Sequence, residues 1–221
     1  MAVLRALIYY LGITAAMLIF TPLSLLIYPL PYSFRYRIIS QWARFSLWWL
    51  RITCGIRFQV QGREHIPAEP AIIMCKHQSA WETMAVQVIF STPLVFIMKR
   101  ELLWIPLFGW GLATTRPIAI DRKNGFRASK QIVSQGSERL QSGCSVVVFP
   151  EGTRTAPGES RKYLPGGGML AEATQRQVVP VAHNAGLCWP KNSFAKKPGT
   201  IQVIIGPPIQ ARGKTAKEIT Q

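Results

Sequence analysis

A chain of 221 residues holds one α/β domain with a real core plus a short appendage, and has no room for two full-sized domains with linkers. Apolar residues make up 48% and charged ones only 16%, a balance that points to contact with lipid and away from a freely soluble protein. Lys and Arg number 26 against 10 acidic residues, a formal +16 whose field draws anions: nucleic acid, an anionic lipid surface or a phosphorylated substrate.

Between Arg5 and Arg35 no residue is charged, and the apolar stretch inside that interval exceeds the ~20 residues needed to cross a bilayer. Pro22, Pro29 and Pro31 each remove a backbone donor in its second half, so a bent, shallow insertion competes with a full crossing. A cleaved signal peptide is not expected, because the run is too long and lacks a small-residue cleavage pattern. The segment FRYRIISQWARFSLWWLRITCGI follows, with Arg37, Arg44 and Arg51 seven apart on one helical stripe. Ile38, Trp42, Phe45, Trp49 and Ile52 lie mostly elsewhere, the pattern of an interfacial helix, although a helix packed on a core with its arginines outward would read the same way. Basic residues flank both ends of the first apolar segment, so they set no orientation.

From about residue 56 short apolar runs alternate with helical stretches. AIIMC (71–75), LVFIM (94–98), PIAI (117–120), SVVVF (145–149), VVPVA (178–182) and TIQVIIG (200–206) read as strands, several buried on both faces. Residues 80–90, 126–141 and 167–176 read as helices, and the polar tail beyond Ile209 as frayed. The expected fold is α/β: a single domain over residues 56–221 with a mainly parallel or mixed sheet covered by helices, preceded by a two-helix membrane-docking motif over residues 1–55. Cys54, Cys75, Cys144 and Cys188 are far apart, with no C-x-x-C pair and no Cys/His cluster at zinc spacing, so they read as reduced, buried thiols and no metal site is expected. Cys75 ends an apolar run and reads as a strand-core thiol rather than a nucleophile.

Three polar motifs fall where strands end: KHQSAWET, IDRKN and PEGTRT. In the first, His77 can take a proton from an alcohol, and a carboxylate such as Glu82 bonded to its other nitrogen would fix the tautomer. Ser79 and Glu82 also fit a capping box, so capping and catalysis stand side by side for Glu82. In the third, Gly152 permits a tight turn, Thr153 and Thr155 offer hydroxyls, and Arg154 supplies a forked donor suited to a phosphate, although read apart from its neighbours the motif is a turn with a solvated arginine. Glu151 beside a phosphate would have to orient Arg154 or bond a substrate hydroxyl instead.

HQSAWE at 77–82, the IAIDR stretch ending at Arg122, FPEGTRT at 149–155 and VVPVAHN at 178–184 resemble, in order and spacing, the four blocks of the glycerophospholipid acyltransferases. The bacterial 1-acylglycerol-3-phosphate type is the nearest, and the likeness extends through MKRELLWIPLFGWG over roughly residues 55–210. The resemblance implies transfer of a fatty acyl group from acyl-CoA or acyl-carrier protein to the sn-2 hydroxyl of 1-acylglycerol 3-phosphate, with no further cofactor. It implies that His77 deprotonates the acceptor, that Glu82 orients His77, and that Arg122 with Glu151, Gly152, Thr153 and Arg154 holds the glycerol phosphate, with Lys99 as a further contact. The family usually carries Asp where this chain has Glu82, a departure that adds a methylene between backbone and carboxylate. His183 falls in a block that shapes the acyl pocket and reads as structural; His65, before Pro67, reads as solvated.

An alcohol that attacks a thioester directly needs no acyl-enzyme, and backbone N–H groups at the helix start after His77 are candidates for the developing oxyanion. The implied partners are a membrane lipid acceptor, the acyl donor and a membrane surface, without nucleic acid. The implied place is the inner (cytoplasmic) membrane with the catalytic domain on the cytosolic side. Three other readings compete: acylation of glycerol 3-phosphate, another lysophospholipid or an amino-lipid; a tethered nucleic-acid-binding protein; and a serine hydrolase built on Ser79 and His77. The basic residues are scattered without a nucleic-acid-binding module, and no G-x-S-x-G elbow is present.

Overall fold

A computed structural model describes residues 1–122 and 124–221. The long apolar segment forms α1, Ala2–Leu26, with Pro22 falling near its end, where little helix remains to disrupt. Pro29 and Pro31 lie in the connection that follows, and α2, Tyr32–Cys54, closes on Gly55 at φ +69, the left-handed conformation glycine adopts freely. The two helices form an antiparallel hairpin. Trp49 Nε1 donates to the Ile8 carbonyl at 3.2 Å, and its indole fills the space a Cβ on Gly12 would occupy at 2.1 Å.

Among the described residues seven strands follow: β1, Ile56–Gln61; β2, Ile72–Cys75; β3, Leu94–Lys99; β4, Ile118–Ile120; β5, Ser145–Val148; β6, Val178–His183; and β7, Gly199–Ile205. Five helices are placed among and after them: α3, Trp81–Ile89; α4, Phe108–Ala113; α5, Gly125–Gln141; α6, Gly166–Thr174; and α7, Ala216–Thr220. The strands make one sheet in the order β1-β7-β6-β2-β5-β3-β4. Every pairing is parallel except β6 with β7, so the sheet is mixed, as the α/β reading allowed.

The central strands alternate their side chains between two cores, which is why they read as unbroken apolar runs. Ile73, Cys75, Val147, Val179 and Val181 pack on the face covered by α2 and α3. Ile72, Met74, Val146, Val148 and Val178 pack on the other face against Ile132, Leu170 and Ile219 from α5, α6 and α7. All four cysteines are unpaired and buried.

Helix α2 belongs to this core. Tyr36, Ser40, Ala43, Leu47, Leu50 and Cys54 are buried at helical spacing, whereas Arg37, Arg44 and Arg51 form an exposed stripe. The core-packed reading of the stripe is the one observed: the arginines face outward, and the opposite face packs on the domain.

Three elements were not expected. Strand β1 is an edge strand whose polar Arg57, Gln59 and Gln61 hide its pairing with β7. Helix α4 is only six residues and glycine-rich. The tail is not frayed: Thr215 and Glu218 form a capping box at the start of α7, and Ala211 and Ile219 are buried. Gly168 lets α7 lie against α6, since a Cβ there would meet Thr220 Oγ1 at 2.2 Å and the Ala216 carbonyl at 2.4 Å.

Candidate active site

Strands β6, β2, β5, β3 and β4 run in one direction, so the loops that leave their C-terminal ends all open at one edge of the sheet. Taken across that edge they carry His183, His77, Glu151–Arg154, Lys99 and Arg122. Neighbouring strands are about 4.8 Å apart, so the first four loops lie within the reach of a small substrate. Residues separated by more than a hundred positions in sequence meet because of strand order.

The His77 ring lies flat on Phe149, with centroids 4.1 Å apart and planes 17° apart. Its side chain is 14% exposed, enough for one edge to be reached from outside. Nδ1 is 2.7 Å from Glu82 Oε1. A carboxylate oxygen accepts, so Nδ1 carries the proton in the neutral ring and the lone pair sits on Nε2. Glu82 is fully buried, and its oxygens also accept from the backbone amides of Gln78 at 2.8 Å and Ser79 at 2.8 and 3.1 Å. The amides of the loop that leads into α3 hold the carboxylate that holds the imidazole, whereas Ala80, the N-cap of α3, makes no side-chain cap bond, so the capping box expected at Ser79 does not form. The extra methylene of Glu relative to Asp is accommodated there.

That geometry corrects one expectation. The amides of Gln78 and Ser79 are spent on Glu82, and that of Trp81 donates to Ser79 Oγ at 3.2 Å, so these N–H groups are not available to an oxyanion. It also removes Ser79 as a nucleophile, because its hydroxyl is fully buried and already accepts a bond.

The β5 loop is tied to the histidine directly. Thr155 donates from its amide at 2.8 Å and from its hydroxyl at 3.2 Å to the His77 carbonyl. Gly152 has φ +68, and a Cβ on it would meet Leu164 Cδ1 at 2.5 Å, so both conformation and space call for glycine. The Arg122 guanidinium donates to the Gly152 carbonyl, which brings the IDRKN motif onto the PEGTRT turn. Thr153 and Arg154 are half-buried, and the Arg154 carbonyl accepts from Lys191 Nζ at 3.2 Å. Lys99 ends β3 on the same edge with an exposed side chain, and among the described residues no bond joins it to the others. Lys123 of IDRKN lies outside the described residues.

Lys76 was missed, although it directly precedes His77. Its ammonium is 3.3 Å from Glu151 Oε1, while Glu151 Oε2 is buried without a partner among the described residues. His183 supports the same place from behind: Nε2 donates to the Lys76 carbonyl at 2.8 Å and Nδ1 accepts from the Ala185 amide at 3.2 Å. Burial holds its pKa below the ordinary histidine value, which keeps it neutral and matches the structural role expected for it. His65 is not solvated as expected; it is half-buried and its Nδ1 donates to the Ile205 carbonyl at 2.8 Å, fixing the turn after β1 to β7.

Hollows among the described residues lie elsewhere. One, of about 90 Å³, sits between α1, α2 and α4 and is lined by Phe20, Trp42 and Phe108. The other, of about 360 Å³, lies beside β4 and is lined by Arg100, Asp121 and Arg127, with Arg100 and Asp121 paired at 2.9 Å. Neither is lined by His77. Among the described residues no three His, Cys, Asp or Glu side chains converge to hold a metal ion.

A buried carboxylate–imidazole pair beside a glycine turn and arginines, at the C-terminal edge of a mixed α/β sheet, is the arrangement of an acyl-transferring enzyme. The Acyltransferase family model matches residues 57–184, and the chain belongs to that family. It is similar to 1-acyl-sn-glycerol-3-phosphate acyltransferase of Pseudomonas aeruginosa, 46% identical over 220 residues, 99% of this chain and 85% of that protein. It is also similar to 1-acyl-sn-glycerol-3-phosphate acyltransferase alpha of Mus musculus, 30% identical over 172 residues, 75% of this chain but 59% of that longer protein. Among solved structures, the 1-acyl-sn-glycerophosphate (LPA) acyltransferase PlsC from Thermotoga maritima shares the fold, with a TM-score of 0.79 at 21% identity over 99% of this chain and 92% of that one.

Proposed function

We propose that this protein moves a fatty acyl group from acyl-CoA or acyl-carrier protein to the sn-2 hydroxyl of 1-acylglycerol 3-phosphate, giving phosphatidic acid, without a further cofactor. The observation that carries the reading is the 2.7 Å bond between His77 and Glu82, set in a loop that Thr155 ties to the Arg-bearing turn. His77 Nε2 takes the proton as the hydroxyl oxygen forms its bond to the thioester carbonyl. The tetrahedral adduct collapses with loss of the thiolate, and the imidazolium returns the proton to that sulfur. Glu82 stabilises the charged ring in between.

Arg122 and Arg154 supply the charge for the acceptor's phosphate, with Gly152 and Thr153 shaping the turn and Lys99 a further contact on the rim. Glu151 Oε2, buried and open, is an acceptor suited to a glycerol hydroxyl. In this reading residues 1–55 hold the enzyme at a lipid surface and residues 56–221 carry the chemistry. Helix α1 is long and apolar enough to cross a membrane, and Leu4, Leu7, Leu11, Leu18 and Leu26 along it are exposed. Four unpaired thiols support a catalytic side facing the reducing cytosol at the cytoplasmic membrane.

The test is the purified full chain in detergent or vesicles, offered 1-acylglycerol 3-phosphate, glycerol 3-phosphate and other lysophospholipids, each with both thioester donors. Phosphatidic acid from the first acceptor is the expected product; acylation of only another acceptor would overturn the choice of substrate.

A further inference from the structure

The apolar surface of α1 does not stop at that helix. Directly after β3, the segment 100–113 presents Trp104 at 70%, Ile105 at 45% and Trp110 at 51% exposure, three large apolar side chains within seven residues. The segment is a compact knuckle rather than a loose loop. Gly109 donates to the Ile105 carbonyl at 2.7 Å, and a Cβ on Gly109 would meet the Leu103 carbonyl oxygen at 2.2 Å. It is fixed to α1: Thr21 Oγ1 donates to the Leu107 carbonyl at 3.3 Å and lies 3.1 Å from where a Cβ on Gly111 would stand. Leu18 and Leu25, within a turn or so of Thr21, are exposed, so the lipid-facing stripe of α1 runs into the exposed tryptophans.

Tryptophan favours the headgroup level of a bilayer, where its ring meets acyl chains and its N–H stays wet. Arginine and lysine at the same level meet lipid phosphate; Lys99 directly precedes the knuckle and Arg100 opens it. We propose that residues 100–113 form a third membrane-contacting element, seating Trp104, Ile105 and Trp110 in the interfacial layer of the bilayer that holds α1. The consequence is positional. The knuckle leaves the sheet at the end of β3, so its depth sets the Lys99 and Arg122 rim at the level of a lipid acceptor's phosphate. The inference rests on the reading of α1 as lipid-embedded.

Spin labelling of the full chain in vesicles of phosphatidylethanolamine and phosphatidylglycerol tests it. The native thiols are buried, so a nitroxide goes to a single introduced cysteine at Trp104→Cys, Trp110→Cys, Leu18→Cys on α1, or Lys130→Cys on exposed α5. On adding vesicles, labels at 104 and 110 are expected to gain oxygen access and lose access to a water-soluble nickel chelate, whereas the label at 130 stays open to nickel. Nickel access at 104 and 110 with lipid access at 18 overturns the third element and leaves α1 embedded. Nickel access at 18 as well overturns the docking reading on which the proposal stands. Dipolar broadening at 104 or 110 identifies a second copy of this chain as the occupant and also overturns it. In parallel, Trp104→Ser/Trp110→Ser is expected to raise KM for a vesicle-embedded acceptor and leave turnover of a short-chain, water-soluble acceptor unchanged; equal loss on both overturns the interfacial role.

Discussion

His77, Glu82 and the amides of Gln78 and Ser79 form a unit in which each member is placed by the next. On the proposed mechanism His77→Ala removes the proton acceptor and leaves the proposed phosphate contacts, so turnover is expected to fall by roughly 10²–10⁴, the range of general-base catalysis, with acceptor binding retained. Arg154→Ala should instead act mainly through a raised acceptor KM; steady-state kinetics on both variants separates the two. Glu82→Gln keeps the volume but places an NH₂ among donors, so both turnover and thermal stability should drop. The stability loss is expected to be about 1–3 kcal/mol, that of a buried polar group left unsatisfied. Loss of turnover without loss of stability would show that the amide bonds contribute nothing.

At the scale of elements, close approach decides where α6 and α7 sit. Gly168 has no room for a methyl group between Thr220 Oγ1 and the Ala216 carbonyl. Gly168→Ala should therefore cost about 1–3 kcal/mol as α7 is pushed off, measured by thermal unfolding, with residual activity near normal at low temperature because this contact is on the face away from α3. The strands over 71–75, 94–98, 117–120, 145–149 and 178–182 were legible in the sequence because strands covered on both faces read as apolar runs, and the one over 200–206 because buried Ile201, Val203 and Ile205 alternate along it. Strand β1 was not, because an edge strand alternates; nor was α7, because five polar-rich residues become a helix only once Ile219 finds a pocket.

Across the whole molecule, α1 is joined to the catalytic edge through Lys196. This ammonium is almost fully buried, 3.9 Å from the centre of the Tyr10 ring, 4.4 Å from Trp189 and 4.9 Å from Tyr9, and it donates to the Phe194 carbonyl at 3.1 Å. Two of those rings belong to α1 and the third to the segment whose Lys191 holds the Arg154 carbonyl. Burial pushes the Lys196 pKa down from 10.5 to about 8, so between those values the unfolded chain binds more protons than the folded one. Stability from this group therefore rises with pH across that window. Comparing thermal unfolding of the wild type and Lys196→Met at pH 8 and pH 10 should move the difference in favour of the wild type at the higher pH; no change would mean the ammonium titrates normally.

The residues themselves pointed to the family: an imidazole, a carboxylate five positions on, and a glycine–arginine turn are short-range patterns that four ordered blocks make specific. They also determined that an apolar helix precedes an α/β sheet. Only the tertiary structure decided that Glu82 bonds the ring and the amides of Gln78 and Ser79 at once, that Lys76 faces Glu151, and that Arg122 folds onto Gly152. Those contacts depend on which strands lie side by side, and strand order is set by packing across the two faces of the sheet, a long-range outcome that no local window of sequence contains.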